Sequence, residues 1–178
     1  MAPPFQLRRL RADEAAAYRA LRLESLQRCP TAFGSAWEEE SAQPLPWFAD
    51  RLEGQWVLGG WRDDGRLCGT ACLYAHGALK ARHKASIVGV YVCPAARGSG
   101  LARALIQQLV DHARGRYDVL TLTVEASNAA AHRLYQRLGF HEYGREPRAM
   151  KIGGVFHDEI LMALTLPDED ATTRRAAG

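Results

Sequence analysis

The sequence predicts a protein of the α/β class, of the α+β type, with a mixed sheet of about seven strands and about four helices. Three features carry this prediction. The apolar segments WVLGGWR, RLCGTACLYAH and KASIVGVYV follow one another closely, which favours a meander of strands. From Gly100 onward the apolar residues recur at helical spacing. A β-branched run, VLTLTV, then indicates a strand buried on both faces.

The N-terminal half is predicted to contain an edge strand, two helices and the meander. FQLRRL alternates well enough for a short edge strand. A helix starts at Asp13, because the apolar residues after it recur at roughly helical spacing, and Pro30 ends it. The acidic, proline-containing segment that follows predicts a loop and then a short helix from about Pro46 to Leu52. An Asp-Asp-Gly turn joins the first two meander strands as a hairpin.

The C-terminal half is predicted to add two helices and three strands. Asn128 is a suitable N-cap for the helix AAAHRLYQRL, and Gly139 closes that helix. Two last strands flank a KIGG turn: FHEYGREPRAM and FHDEILMALTL. We expect a single domain over residues 1–166 and a disordered tail over residues 167–178, because the tail is polar and has nothing apolar to bury.

Composition and charge restrict the partners of the chain. The formal net charge is +3 and the arginines are scattered, so no nucleic-acid partner is expected. The N-terminus lacks the apolar run of a signal peptide, and no later run is long enough to span a membrane, which predicts a cytoplasmic protein without a membrane partner. The four cysteines show neither a CxxC pair nor zinc spacing, so no metal is expected.

A glycine turn links the third meander strand to the next helix, in the stretch YVCPAARGSGLARALI. The first backbone N–H groups of a helix lack intrahelical partners, and with the helix dipole they can bind phosphate. A P-loop is excluded, because Gly100 is followed by Leu101 and Ala102 instead of lysine and Ser/Thr. The dinucleotide fingerprint fails at Arg103. An ordinary loop that caps a helix would fit the turn equally well.

Two separated signatures carry a resemblance to a known family. Arg97-Gly98-Ser99-Gly100-Leu101-Ala102 fits the pattern Q/R-x-x-G-x-G/A, and VEASNAAAHRLYQRLGF contains an asparagine followed by Ala-x-x-Leu-Tyr-x-x-x-Gly-Phe. In both, the chain resembles the GNAT superfamily of acetyl-CoA-dependent N-acetyltransferases. The resemblance covers roughly residues 5–166. It implies a mostly antiparallel mixed sheet that splays between the fourth and fifth strands, with acetyl-CoA bound there and no metal.

The resemblance also implies roles for individual residues. Tyr135 would donate a proton to the leaving CoA thiolate, and backbone groups around Tyr91 and Val92 would align the thioester and bind its oxygen. Each of these residues also has a purely structural interpretation. Tyr135 could be a core residue, Asn128 could be a helix cap alone, and Arg97 could be a surface charge. The residues assigned to acetyl-CoA are Tyr91, Val92, Arg97, Gly98, Ser99, Gly100, Leu101, Ala102, Asn128, Ala131 and Tyr135.

No general base is assigned from the sequence. The strand KASIVGVYV, where some family members carry a glutamate, has no carboxylate. Direct attack by an amine that has lost its proton to water is an equally good hypothesis. The side-chain candidates elsewhere are Glu125, His76, His83, Glu38, Glu39 and Glu40.

The acceptor is expected to be a primary amine of a small molecule or a protein. Its pocket would be formed by TAFGSAWEEE and the turn near Arg148 to Asp158, although Phe33 and Trp37 could equally pack into the core. A catalytically silent acyl-CoA-binding sensor or interaction module is the alternative function. Relatives in the superfamily are often homodimers, so a homodimer is a further expectation.

Overall fold

A computed structural model describes residues 5–167 of the chain, and these residues build one seven-stranded sheet. The strand order across the sheet is β1-β2-β3-β4-β5-β7-β6. Every neighbouring pair is antiparallel except β4 and β5. The strands are β1 (Phe5–Arg9), β2 (Trp56–Arg62), β3 (Leu67–Ala75), β4 (Lys84–Val92), β5 (Val119–Glu125), β6 (His141–Ile152) and β7 (Val155–Thr165).

The helices confirm the predicted fold class and add one element to it. They are α1 (Ala15–Arg28), α2 (Trp37–Ser41), α3 (Leu45–Gly54), α4 (Leu101–Ala113) and α5 (Ala129–Arg137). The sequence predicts a loop where α2 lies, because five residues with three consecutive glutamates show no helical apolar face. The backbone N–H of Ala36 donates to the Glu39 side chain (3.4 Å), which supports the start of this short helix.

The helices pack on both faces of the sheet. Val57 pairs with Cys72, and both lie in a buried cluster with Tyr18 of α1 and Phe48 of α3. Their strand neighbours point the opposite way, since side chains alternate along a strand, and α4 packs against that second face of β2, β3 and β4. Contact there is close: a methyl group added at Gly69 would lie 2.8 Å from a Leu101 methyl carbon.

The sheet splays between β4 and β5, as the family resemblance implies. The two strands pair in parallel only at Lys84–Val119, Ala85–Leu120 and Ser86–Thr121. Beyond Ser86 one edge of β4 has no partner strand among residues 5–167, so its backbone N–H and C=O groups are open to a ligand. A bulge at Gly89 (φ +63°) also bends β4 here, and Thr70 Oγ1 donates to the Gly89 carbonyl (3.3 Å).

The predicted turns are present at both hairpins. Gly65 (φ +77°) closes the β2–β3 hairpin, and Gly153 and Gly154 close the β6–β7 hairpin. Residues 168–178 lie outside the described residues, and with them all but the first residue of the expected tail. Among residues 5–167, no helix combines the length and apolar character needed to cross a membrane.

Candidate active site

The splay opens into a cavity of about 820 Å³, within the range of ligand sites in proteins. Residues 87–92 of β4 form one wall, and the end of β5 with α5 forms the other. Helices α1 and α3 close one end through Arg22 and Arg51. The predicted cofactor-binding residues that line this cavity are Tyr91, Val92, Arg97, Ala102, Asn128, Ala131 and Tyr135.

The remaining predicted residues form the turn that starts α4. Gly98 (φ +77°) and Gly100 (φ +85°) both have left-handed backbone, which glycine adopts without steric cost. No heavy atom lies within 4 Å of a Cβ added at either position, so the turn faces open space. Ser99 Oγ donates to the Ala96 carbonyl (2.7 Å), which holds the turn in shape. The Leu101 side chain is buried in the core, so only its backbone can face a ligand.

Arg97 lies at the head of this turn with an exposed side chain. Its Nε donates to the Val92 carbonyl (3.3 Å), and Nη2 approaches Cys29 Sγ (3.9 Å). The first bond ties the guanidinium to the open end of β4. A planar guanidinium at this position can bind an anion with its remaining N–H groups.

Tyr135 projects from α5 into the cavity with a side chain that is 7% exposed. Burial raises the pKa of its phenol to about 12, so the hydroxyl keeps its proton at neutral pH. Its ring packs edge-on against Phe140 (centroids 6.0 Å apart). A buried, protonated phenol beside an open strand edge is suited to donate a proton.

Asn128 caps α5, since its Oδ1 accepts from the Ala131 N–H (3.1 Å). The predicted cap is therefore present. Because the amide nitrogen takes no part in that bond and Asn128 lines the cavity, the same side chain can cap the helix and offer a donor to a ligand.

The hydroxyl of Tyr91 is bonded to helix α1. It donates to Glu24 Oε1 (2.9 Å). Burial raises the pKa of the phenol, and the bond to Glu24 raises it further, which fixes the hydroxyl as a donor. The resemblance assigns Tyr91 and Val92 a main-chain role, and this placement is compatible with it.

A carboxylate that the sequence reasoning missed, Glu159, lines the cavity from β7. It stands directly across from Glu125 of β5 and from Glu146 of β6 in the strand register. Burial raises the pKa of Glu159 above its ordinary value, and the charges of Glu146 and Glu125 raise it further. A hydrogen bond from Thr123 acts in the opposite direction. The signal was present in the sequence only as an acid within an apolar strand.

Glu125, one of the candidate bases, also lines the cavity but is already bonded. Its Oε2 accepts from the Ser127 backbone N–H (3.1 Å) and from the Ser127 hydroxyl. Its Oε1 lies 3.6 Å from His157 Nδ1. These bonds satisfy the carboxylate, which leaves Glu159 as the less engaged of the two neighbouring acids.

Glu40, a second candidate base, is held in a buried ion cluster. Arg22 donates to it twice, from Nε (2.8 Å) and Nη2 (2.7 Å), and Arg51 Nη1 donates a third bond (3.2 Å). Burial alone would raise the pKa of Glu40, but the bonds and charges of the two arginines outweigh it and lower the pKa. A carboxylate that stays ionised this firmly is a poor proton acceptor.

Glu40 and the other candidate bases lie outside the cavity lining, which includes only Glu125 among them. His76 Nε2 is hydrogen-bonded to Ser86 Oγ (2.9 Å), and His83 precedes the first residue of β4. Glu39 accepts from the α2 cap, and Glu38 lines a different cavity. The structure therefore brings neither the histidines nor Glu38 and Glu39 to the splay.

The two segments expected to form the acceptor pocket do meet. They enclose a second cavity of about 800 Å³, lined by Leu26, Trp37, Glu38 and residues 149–153 of the β6–β7 hairpin. Phe33, Gly34 and Ser35 line both cavities. Phe33 is buried, whereas Trp37 is 36% exposed, so only the second of these aromatic rings presents a substantial face to solvent.

Among residues 5–167, no group of three or more His, Cys, Asp or Glu side chains is arranged to hold a metal ion. All four cysteines are free thiols, and three of them are buried.

The sheet opens between two parallel strands, and a glycine turn at a helix N-terminus lies beside the opening. This arrangement is typical of proteins that hold a phosphate-bearing ligand within a splayed sheet. Residues 19–140 match the model of the acetyltransferase (GNAT) family, and the chain belongs to this family. The resemblance inferred from the two signatures is thereby confirmed.

Two curated acetyltransferases match part of the chain. An L-methionine sulfoximine/L-methionine sulfone acetyltransferase of Salmonella typhimurium is 38% identical over 84 residues, which cover 46% of this chain and 48% of the relative. A ribosomal-protein-bS18-alanine N-acetyltransferase of Escherichia coli is 37% identical over 84 residues, or 47% of this chain and 57% of the relative. The chain thus spans about half the length of the curated relatives it matches.

Likeness to a solved structure extends over more of the chain. A candidate acetyltransferase of Salmonella typhimurium, solved with its cofactor acetyl-CoA, is 26% identical with a TM-score of 0.76. The match covers 93% of this chain and 95% of the other.

Proposed function

We propose that this protein is an N-acetyltransferase that moves the acetyl group of acetyl-CoA to a primary amine. One observation carries the proposal: a single cavity extends from Arg97 and Ala102, beside the glycine turn, to Tyr135 and Glu159. Family membership and the acetyl-CoA bound by a structural relative support the choice of donor.

The chain's own groups fit acetyl-CoA from end to end. The pyrophosphate would meet the N–H groups of residues 98–102 and the Arg97 guanidinium. The pantetheine amides would pair with the open edge of β4 and with the free amide nitrogen of Asn128. The thioester would then lie in the splay near Tyr135.

Acetyl transfer requires a deprotonated amine. An unperturbed amine of the lysine type has a pKa near 10.4, so at neutral pH only about one molecule in a few thousand is the free base. Glu159 faces the cavity and has a raised pKa, which brings it closer to the range useful for accepting a proton at neutral pH. We assign Glu159 as the carboxylate that receives the ammonium group and takes its proton.

The remaining steps use the strand edge and the buried phenol. The amine nitrogen attacks the thioester carbon, and a backbone N–H of β4 binds the oxygen that becomes negative. The C–S bond then breaks, and Tyr135 gives its proton to the CoA sulfur. The extra proton on the new amide nitrogen leaves to solvent, from which Tyr135 is reprotonated. Glu159 also gives to solvent the proton that it took from the ammonium group, so each turnover releases one proton.

Relatives of this chain act on different kinds of amine. The relatives named above act on an amino-acid derivative in one case and on a protein alanine in the other. A small-molecule amine and a protein amine are both compatible with the family.

Replacement of the phenol separates catalysis from binding. In Tyr135→Phe, turnover of the best amine in a panel should fall by on the order of a hundredfold or more, because the thiolate leaves without its acid. Acetyl-CoA affinity, measured by calorimetry, should persist. Tyr143→Phe is the matched control, since Tyr143 is 57% exposed on β6.

Two outcomes would count against this scheme. Full turnover in Tyr135→Phe would remove the assigned acid. Acetyl-CoA binding without turnover of any amine would favour the alternative, a catalytically silent acyl-CoA sensor.

A further inference from the structure

The helix-side end of the splay cavity carries more positive than negative charge. Arg22 from α1 and Arg51 from α3 both line it, and both bond to one carboxylate, Glu40. The side chains of Arg22 and Glu40 are only 7% and 6% exposed, and that of Arg51 is 21% exposed. Two cations share one anion, so one positive charge remains unmatched.

The unmatched charge belongs to Arg51. Arg22 makes a two-pronged pair with Glu40 through Nε and Nη2, which neutralises both partners. Arg51 uses Nη1 alone for Glu40, and Glu40 is the only carboxylate within ion-pair distance of it among residues 5–167. Arg51 itself lines the cavity, with its guanidinium carbon 5.3 Å from the centroid of the Trp47 ring. A mostly buried cation without its own anion is costly unless a ligand supplies one.

Another part of the lining of the same cavity is acidic. Glu159 and Glu125 stand side by side on β7 and β5, and both line the cavity. A ligand that reaches both regions would place a positive group at the glutamates and a negative group at Arg51. A plain amine or a polyamine would satisfy the glutamates but would be repelled by Arg51.

We propose that the acceptor is a small amino acid or amino-acid-like zwitterion, whose amine is received at Glu159 and whose carboxylate binds Arg51. This inference rests on the proposed N-acetyltransferase function and narrows its acceptor class. A protein N-terminus carries the amine but replaces the adjacent carboxylate by an amide, so it lacks the group that Arg51 selects.

The test compares matched acceptors with the purified full chain and acetyl-CoA. Each proteinogenic L-amino acid is assayed beside its decarboxylated amine and its α-amide, with 4-aminobutyrate and 6-aminohexanoate to vary the spacing between the charges. Acetylated product and free CoA are quantified by chromatography. We expect at least one amino acid or ω-amino acid to exceed its analogue without a carboxylate in kcat/KM by about 10- to 100-fold, the size of a charge-assisted contact.

Variants assign that preference to Arg51. In Arg51→Gln the ratio of kcat/KM between the acid and its amide should collapse towards one, mainly through KM. Arg51→Lys should retain part of the ratio, because the charge stays while the planar fork is lost. The Arg22–Glu40 pair remains balanced in both variants, so the fold should be kept. Arg19→Gln is the control: Arg19 lies on α1 beside the cluster, donates to the Ser41 carbonyl, and is not part of the cavity lining.

The outcomes separate this inference from the proposed function. Turnover of decarboxylated amines or amides at rates equal to or above those of the acids would overturn the zwitterion alone. An acid preference that survives in Arg51→Gln would overturn the role of Arg51. Binding of acetyl-CoA without turnover of any acceptor would overturn both the inference and the proposed function.

Discussion

The glycine turn at the start of α4 offers the sharpest test of the donor site. Gly100 is the N-cap of α4 and has φ +85°, so a glutamate there would strain the backbone by about 1–2 kcal/mol. Its carboxylate would also lie where the pyrophosphate is proposed to bind. Two unit charges about 5 Å apart at an effective dielectric constant of about 20 repel by roughly 3 kcal/mol, or about a hundredfold in affinity.

Strain and repulsion can be separated by a second variant. Gly115 has φ +68° and follows the opposite end of the same 13-residue helix, about 20 Å away. Gly115→Glu should lose similar stability in urea denaturation while binding acetyl-CoA normally. Gly100→Glu should lose both stability and affinity in calorimetric titration. Unchanged acetyl-CoA affinity in Gly100→Glu would refute the assignment of the turn to pyrophosphate.

Two further predictions concern the carboxylates Glu40 and Glu159. Glu40→Gln should lower the free energy of unfolding by about 3–5 kcal/mol, since Arg22 and Arg51 would be left buried without an anion. Because the pKa of Glu40 is lowered in the folded chain, this difference between wild type and variant should be full above about pH 4.5 and shrink as the pH falls through the lowered pKa, as denaturation at several pH values would show. A variant as stable as wild type at pH 7 would contradict this reading of the cluster. Glu159→Gln should instead raise the free energy of unfolding, because the raised pKa makes ionised Glu159 unfavourable to folding at neutral pH. Its kcat/KM should fall, and the acid limb of the pH profile of kcat/KM should disappear. Unaltered kcat/KM in Glu159→Gln would remove it as the base.

Local patterns were enough to predict most of the fold. The apolar runs of β2, β3 and β4, the helical face of α4 and the β-branched run of β5 each specify an element from neighbouring residues. Asn128 and Gly139 mark the ends of α5 because caps and left-handed positions restrict residue type. The helix α2 was missed because a five-residue helix has no room for a recurring apolar face.

The site was predictable only where its residues lie in the two sequence signatures. Glu159 reaches the cavity because β7 inserts between β5 and β6, which no local pattern reveals. Arg22 and Arg51 look like solvent-facing helical arginines in the sequence, and they become part of the cavity through Glu40, which α2 brings between them. The charged residues of the site depend on contacts between distant parts of the chain, so the sequence did not predict them. The glycines of the turn lie in a local sequence signature, so the sequence did predict them.

Three acidic groups around one cavity are sorted by their surroundings. Glu40 is held between two arginines, which keep it ionised, so it can only balance charge. Glu159 is half-buried beside other carboxylates, which raises its pKa and makes its proton easier to keep. Tyr135 is buried among apolar groups and keeps its proton at neutral pH, so that proton is available to the CoA sulfur when the C–S bond breaks. The pKa of Glu40 is lowered, whereas the pKa values of Glu159 and Tyr135 are raised. The groups that the fold packs beside each side chain therefore decide whether it balances charge, accepts a proton or donates one.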